Sequence, residues 1–176
     1  WELREKLLDE GVDEDDMVSS LAGLDSDRAW ELRERLFAKG YAHAVSDSLA
    51  GLASERAWKL REHFLEGRVN KSYIPRSLTG LDSDRAWELR ERLLKEGVKN
   101  DLVAESLAGL DSERAWKLRD EFLMTDPECL PRSLIDLDSD RAWEFKERLL
   151  AKGFNASFIA VGLGGGVAVG PQELEM

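Results

Sequence analysis

The 176-residue chain is poor in the residues that most often carry chemistry or covalent stability: it has one cysteine, two histidines and four prolines. Cys129 alone cannot form an intrachain disulfide, which excludes a disulfide-stapled domain and favours a reducing compartment. The apolar run at 158–169 has 12 residues and is too short to span a bilayer as a helix. With no visible targeting or transmembrane segment, we expect a cytoplasmic protein.

No catalytic or ligand-binding constellation stands out. His43 and His63 lack a cysteine, histidine or carboxylate at metal-ligand spacing, and with Cys129 they form no nucleophile–base pair. The glycines at 164–166 do not fit the dinucleotide-binding spacing, and no strand precedes them. We therefore expect a protein that is not an enzyme and that holds neither cofactor nor metal.

The net charge of the chain narrows the classes of molecule that it could bind. The chain has 25 basic and 36 acidic residues and a net charge of -11. This balance repels nucleic acid and anionic membranes at long range, and it favours basic or neutral partners. The chain is 43% hydrophobic, which is enough to build a core.

What the sequence does contain is an internal repeat. The six tryptophans stand 29, 28, 29, 29 and 27 residues apart, and a fixed period of this size is typical of a stacked repeat array. Each copy is named here by its tryptophan: Trp1, Trp30, Trp58, Trp87, Trp116 and Trp143. We expect the array to cover 1–163 and a glycine-rich tail or linker to cover 164–176. Because there is no initiator methionine and residue 1 falls inside a copy, we expect a fragment or a trimmed chain.

Each copy predicts two helices. In the Trp30 copy, Asp25 and Ser26 are caps for an amphipathic first helix, which ends at Gly40 followed by an apolar residue. Val45, Leu49 and Leu52 form one stripe on a shorter second helix. Because a single tripeptide ends that helix and opens the next copy, consecutive hairpins must stack in the same orientation. The prediction is an all-α fold, a right-handed α-solenoid of about six two-helix repeats with a period of 27–29 residues.

The copies alternate in type. The Trp30, Trp87 and Trp143 copies read DSDRAWE, whereas the Trp58 and Trp116 copies read SERAWK and carry Pro75 or Pro131 in the second helix. Proline is tolerated in the first turn of a helix, but Asp126-Pro127 would place Pro131 slightly too deep. We therefore expect a shifted or tighter turn in the Trp116 copy.

One basic position falls on the apolar side of every first helix, and an unpaired cation there would cost several kcal/mol. Two interpretations remain. These side chains form an inter-repeat ladder, bonding the last carbonyls of a neighbouring second helix, a serine such as Ser48, or a cap carboxylate such as Asp25; or, with the tryptophans, they line a groove that reads an extended ligand. The series is Arg4, Arg33, Arg61, Arg90, Arg119 and Lys146.

A second arginine series lies on the polar side, near Glu31 or Lys59, and predicts exposed ion pairs of small individual energy. It is also a candidate for lining the groove. Its members are Arg28, Arg56, Arg85, Arg114 and Arg141. The tryptophans predict the structural core of the repeats, with a stacking platform as the alternative. The predicted core set is Trp30, Trp58, Trp87, Trp116 and Trp143.

With their paired helices, capping glycines and aromatic knobs, the copies resemble the helical-hairpin repeat proteins, a class that includes tetratricopeptide, pentatricopeptide and Pumilio repeats. Their period is shorter than in those families, and the tetratricopeptide Trp-Leu-Gly-Tyr pattern is absent. The resemblance implies a ligand on the concave face, either a protein or peptide, or single-stranded RNA read at about one base per repeat. Net charge favours the protein or peptide. A third alternative is a structural spacer or a rod that self-associates through truncated repeat ends.

Overall fold

The computed structural model describes residues 1–11, 14–67 and 69–161. Within those ranges the secondary structure consists of α-helices and 3-10 helices without strands, which confirms the all-α expectation. The predicted tail, 164–176, lies outside the described residues, as do the last two positions of the predicted array.

Each copy contributes a first helix, and most copies contribute a shorter second α-helix. The first helices are α1 (Glu2–Asp9), α3 (Asp27–Ala38), α5 (Glu55–Glu66), α7 (Asp84–Lys95), α9 (Glu113–Thr125) and α10 (Asp140–Ala151). The second helices are α2 (Glu14–Leu21), α4 (Ala42–Asp47), α6 (Ile74–Ser77), α8 (Asn100–Glu105) and α11 (Ala156–Val161).

The turn of the Trp116 copy is tighter than in the other copies, as Pro131 predicted. Two 3-10 helices, Pro127–Cys129 and Pro131–Leu134, stand where other copies have a second α-helix. A third 3-10 helix, Lys71–Tyr73, precedes α6 in the other proline-containing copy. Each proline of the second segments occupies a first-turn position, where its missing N–H costs no hydrogen bond.

Local sequence explains where the first helices begin and end. The N-cap of α3 is Ser26, whose hydroxyl accepts a hydrogen bond from the Ala29 N–H, and the equivalent serine caps α5, α7, α9 and α10. The C-terminus of α3 turns at Gly40, which has φ +95°. There the N–H of Tyr41 donates to the Leu36 carbonyl, the bond of a Schellman ending.

Packing follows the order of the copies. Second helices contact one another in sequence, from α2 to α4, α6, α8 and then the 3-10 helix Pro131–Leu134. Most first helices also pack on the second helix of their own copy, whereas the backbones of consecutive first helices stand further apart. Most buried apolar side chains join one cluster that runs from Met17 to Ile159.

Backbone hydrogen bonds also cross between copies. The Gly51 N–H donates to the Thr79 carbonyl, and the Gly109 N–H donates to the Ile135 carbonyl, each at 2.9 Å. Both bonds run from a DSDRAWE copy to the SERAWK copy that follows it. The alternation seen in the sequence is therefore accompanied by alternating contacts, which agrees with a two-copy unit.

Candidate functional site

The basic side chains on the apolar side of the first helices lie inside the protein. Arg90 is typical: its Nε donates to Ser106 Oγ at 2.9 Å, and its Nη2 donates to the Ser106 carbonyl at 3.0 Å. Its guanidinium also reaches the carbonyls of Leu78 and Leu81 in the preceding copy, each at 2.9 Å. One side chain therefore joins the second helices of two consecutive copies.

The same arrangement recurs along the series. Arg33, Arg61, Arg90 and Arg119 are 0% exposed, and each guanidinium lies 4.5 to 4.7 Å over the ring of its own copy's tryptophan. Burial lowers the pKa of each of these four arginines to about 10, so they remain charged at neutral pH. These cations are bonded to oxygen atoms of the interior, and Arg33 also lines a cleft between α3 and α5.

The two ends of the series differ from the middle. Lys146 is 2% exposed and donates to the Leu137 carbonyl at 3.1 Å. Burial lowers its pKa, while Asp138 acts in the opposite direction. Arg4 is partly buried and stacks at 5.0 Å on Trp1, and its Nε has no acceptor in the described part of the chain.

An aspartate carboxylate accepts the hydrogen bond of the tryptophan indole. The Trp87 indole N–H donates to Asp82 at 2.7 Å, and Ser112, the N-cap of the next copy, donates to the same oxygen at 3.0 Å. The same carboxylate bridge is built on Asp25 and Asp111. Sequence reasoning missed the indole bond, although an aspartate five residues before the tryptophan in four copies was the signal.

Of the five tryptophans predicted to form the core, four are buried and one is not. Trp30, Trp58, Trp87 and Trp116 are at most 7% exposed, whereas Trp143 is 45% exposed and corrects the prediction. In two of the buried cases the next copy covers the ring: Arg85 lies over Trp58, and Phe145 packs against Trp116. No first helix follows α10 in the described ranges, so Trp143 lacks that cover.

The second arginine series forms exposed ion pairs, but with other partners than expected. Arg56 pairs with Asp27 at 2.6 Å, and Arg141 pairs with Glu113 at 2.6 Å. In each pair the acid sits in the first turn of the preceding copy's first helix rather than beside the arginine in its own helix. Arg85 and Arg114 bind the equivalent acids, while Arg28 holds the same position in α3 and is exposed. The two series meet at two tryptophans: Arg61 and Arg85 both lie over the Trp58 ring, and Arg119 and Arg141 both lie over the Trp116 ring.

A different set of partly exposed side chains crosses four consecutive copies along the second segments. Arg76 lies 3.2 Å from Asp47 and 3.7 Å from Glu105, and Arg132 lies 3.5 Å from Glu105. We call these four residues the charge ladder. Their signs alternate because the acids come from DSDRAWE copies and the arginines come from SERAWK copies.

An open cavity of about 390 Å³ adjoins the charge ladder. It is lined by His43, Asp47, Ser72, Tyr73, Arg76 and Leu102. The His43 and Tyr73 rings are 5.8 Å apart, so the wall is partly aromatic. Loss of solvation raises the pKa of the Asp47 carboxyl, with Arg76 opposing that rise. A partly desolvated carboxylate beside apolar surface can take a cationic side chain.

A second cleft, of about 540 Å³, lies between α3 and α5. Its floor includes Trp30, Arg33, Phe37 and Leu60. Its rim carries acids from α3 opposite bases from α5. The rim residues are Asp27, Glu31, Glu34, Arg56, Lys59 and His63. This cleft has no excess of positive charge.

Other chemistry is sparse. Among the described residues no group of three or more histidines, cysteines, aspartates and glutamates could hold a metal ion. Cys129 is buried, and desolvation, followed by the charges of Asp126 and Asp101, raises its thiol pKa to about 12. None of the described helices is long and apolar enough to cross a membrane.

No family model matches the chain, and neither a curated protein nor a solved structure is detectably similar to it.

Proposed function

We propose that the chain is a right-handed α-solenoid of about six two-helix repeats, that it catalyses no reaction, and that it binds a protein or peptide along its concave face. We assign the concave side to the second helices because consecutive second helices approach each other more closely than consecutive first helices do. In a curved stack the inner side has the shorter spacing.

The charge ladder is the observation that carries this proposal. It offers cations and anions in alternation along four copies, next to a cavity with aromatic and aliphatic walls. Such a surface complements a peptide that places a basic side chain beside an apolar one. Asp47 would receive the basic group, and Tyr73 and Leu102 would contact the apolar group. The net charge of -11 would speed the approach of a basic ligand.

The arginine contacts favour a peptide over nucleic acid. To bind a strand of RNA, a protein needs cations that can pair with the phosphates and so release the counterions around them. Arg33 and its equivalents are buried and donate to carbonyl and serine oxygens, and Arg56, Arg85, Arg114 and Arg141 pair with carboxylates.

A peptide library that varies one basic and one apolar position, screened beside single-stranded RNA and DNA, tests the proposal. With the selected peptide, Asp47→Asn should weaken binding about tenfold, because one desolvated charge pair is lost. Asp27→Asn removes an equally ion-paired acid on the first-helix side and should change affinity less than about twofold. Affinity should also fall as pH drops through the raised pKa of Asp47. Equal effects of the two substitutions, or salt-sensitive binding of nucleic acid alone, would contradict the proposal.

A further inference from the structure

The Trp58 copy lacks the carboxylate that precedes the tryptophan in its neighbours. The position five residues before the tryptophan is aspartate in four copies and Ala53 in this one. The aspartates are Asp25, Asp82, Asp111 and Asp138, and each accepts a hydrogen bond from its own copy's indole N–H.

Three of these aspartates also accept a hydrogen bond from the N-cap serine of the next copy. In the Trp87 copy, Asp82 accepts a hydrogen bond from the N-cap hydroxyl of the next copy. Its negative charge also raises the pKa of buried Arg90, against the effect of burial. Asp25 and Asp111 have the same relation to Arg33 and Arg119. A negative group at this position therefore serves an indole, a hydroxyl and a guanidinium together.

Ala53 removes this acceptor from the corresponding indole and hydroxyl, and it removes the nearby negative charge from the corresponding guanidinium. The Trp58 side chain is 5% exposed, and its indole N–H donates to no acceptor among the described residues, although the nitrogen itself is open to solvent. Arg61 is 0% exposed, and its guanidinium donates to the carbonyls of Leu49, Leu52 and Ser77. Its Nη1 has no acceptor in the described ranges, but the same is true of Arg33, whose copy keeps Asp25, so this atom does not depend on the missing aspartate. Ser83, the N-cap of the next copy, stands where Ser112 stands relative to Asp82.

Electrostatics around Arg61 point the same way. Burial lowers its pKa, and the nearby charges of Arg85 and Arg90 lower it further, with no carboxylate acting against them. Arg33, Arg90 and Arg119 each have an aspartate that raises the pKa in part. The Trp58 copy thus holds a buried cation whose local field is less compensated than that of its equivalents.

We propose that the space beside Ala53 is an anion site that takes a carboxylate, which occupies the place of the missing aspartate side chain. Relative to aspartate, alanine lacks a single carboxylate group, so a formate ion is the closest match in size. The indole N–H of Trp58 and the hydroxyl of Ser83 donate to the bound oxygen, and Arg61 supplies the positive field. Ala53 is exposed, so the ligand has a path from solvent.

The carboxylate can be a free small acid or an acidic group of a peptide, since both present the same two oxygens. With two direct hydrogen bonds at a partly open site, we expect a dissociation constant on the order of 10 mM for formate. The site is independent of the charge ladder, because its groups belong to the first helices and the loops before them.

Titration of the ¹⁵N-labelled protein with sodium formate, followed at the assigned tryptophan indole N–H resonances, tests the proposal. Sodium chloride at matched ionic strength is the reference. We expect the Trp58 resonance to move downfield and saturate with formate, while the Trp87 resonance hardly moves. A shift of equal size with chloride, or no saturable shift, would overturn the proposal.

Two variants give matched controls. In Ala53→Asp the Trp58 indole resonance should lie downfield without any ligand, and formate should not shift it. In Asp82→Ala the Trp87 resonance should become formate-responsive, and Asp111→Ala provides the same test at Trp116 if the first variant is too unstable. A formate response that persists in Ala53→Asp would overturn the proposal. Acetate and a blocked aspartyl peptide distinguish the two sources, since only a site open to peptides lets the larger ligand saturate the same resonance.

Discussion

The Trp87 and Trp143 copies share the DSDRAWE sequence, yet equivalent side chains in the two copies differ in burial and in the number of hydrogen bonds that they make. Trp87 is 5% exposed and Trp143 is 45% exposed. Arg90 makes four hydrogen bonds, and its counterpart Lys146 makes one within the part of the chain that the structure describes. The loop before each copy differs as well, with Gly80 before the first and Asp136 before the second.

The comparison teaches that a copy's stability depends on its neighbours as much as on its own sequence. A guanidinium is a planar fork that can reach the carbonyls of two second helices at once, whereas an ammonium group is a point charge on a flexible stem. Where the fork is present, each copy is tied to the one before it. Where lysine replaces arginine, the tie is reduced to a single carbonyl.

Removing the guanidinium should have the largest effect. Arg90→Ala leaves Ser106 and the carbonyls of Leu78 and Leu81 without their donor, so we expect a loss of about 3–5 kcal/mol in the free energy of unfolding. Urea denaturation followed by circular dichroism measures it. The control is Arg92→Ala, which removes an exposed arginine paired with Glu96 and should cost less than about 0.5 kcal/mol. Similar losses in both variants would show that the buried bonds contribute little.

The second largest difference between the two copies should appear when their tryptophans are truncated. Trp87→Leu removes buried aromatic surface and the bond to Asp82, so a loss of about 2–3 kcal/mol is expected. Trp143→Leu acts on a half-exposed ring and should cost less than about 1 kcal/mol. The same denaturation experiment compares them, and equal costs would mean that Trp143 is covered in solution.

Exchanging the two basic residues should give unequal results. Arg90→Lys removes the planar guanidinium from a position where the Ser106 hydroxyl and three carbonyl groups accept its hydrogen bonds. We expect the free energy of unfolding to fall by about 2 kcal/mol. Lys146→Arg should gain less than about 0.5 kcal/mol, because in the Trp143 copy Gly162 aligns with the receiving serine in the sequence. Thermal unfolding of both variants checks the asymmetry. Equal and opposite shifts would mean that the serine and its carbonyl do not matter.

The repeat made much of the fold predictable, because a helix period, a capping serine and a terminal glycine act locally. Ser26, Gly40 and the tight turn at Pro131 follow from side-chain chemistry within a few residues. The partners of Arg56 and Arg141 did not follow, because the period says which positions are equivalent but not how far each copy rotates against the next. The same gap hid the charge ladder, whose members are 27 to 29 residues apart in sequence.

The loop position before each copy should give the smallest difference, and it tests whether the Trp143 copy is weakened by its own entry turn. Asp136 has φ +61°, a left-handed conformation that glycine adopts without a steric cost and that aspartate tolerates at some cost. Asp136→Gly should therefore stabilise the protein by about 0.5 kcal/mol, since the strain relieved slightly exceeds the entropy that glycine adds to the unfolded chain. The mirror variant Gly80→Asp imposes the same conformation, φ +77°, on aspartate and should cost about 1 kcal/mol. If both substitutions are neutral by thermal unfolding, the turn carries no strain, and the weakness of the Trp143 copy lies in Lys146 and the uncovered indole alone.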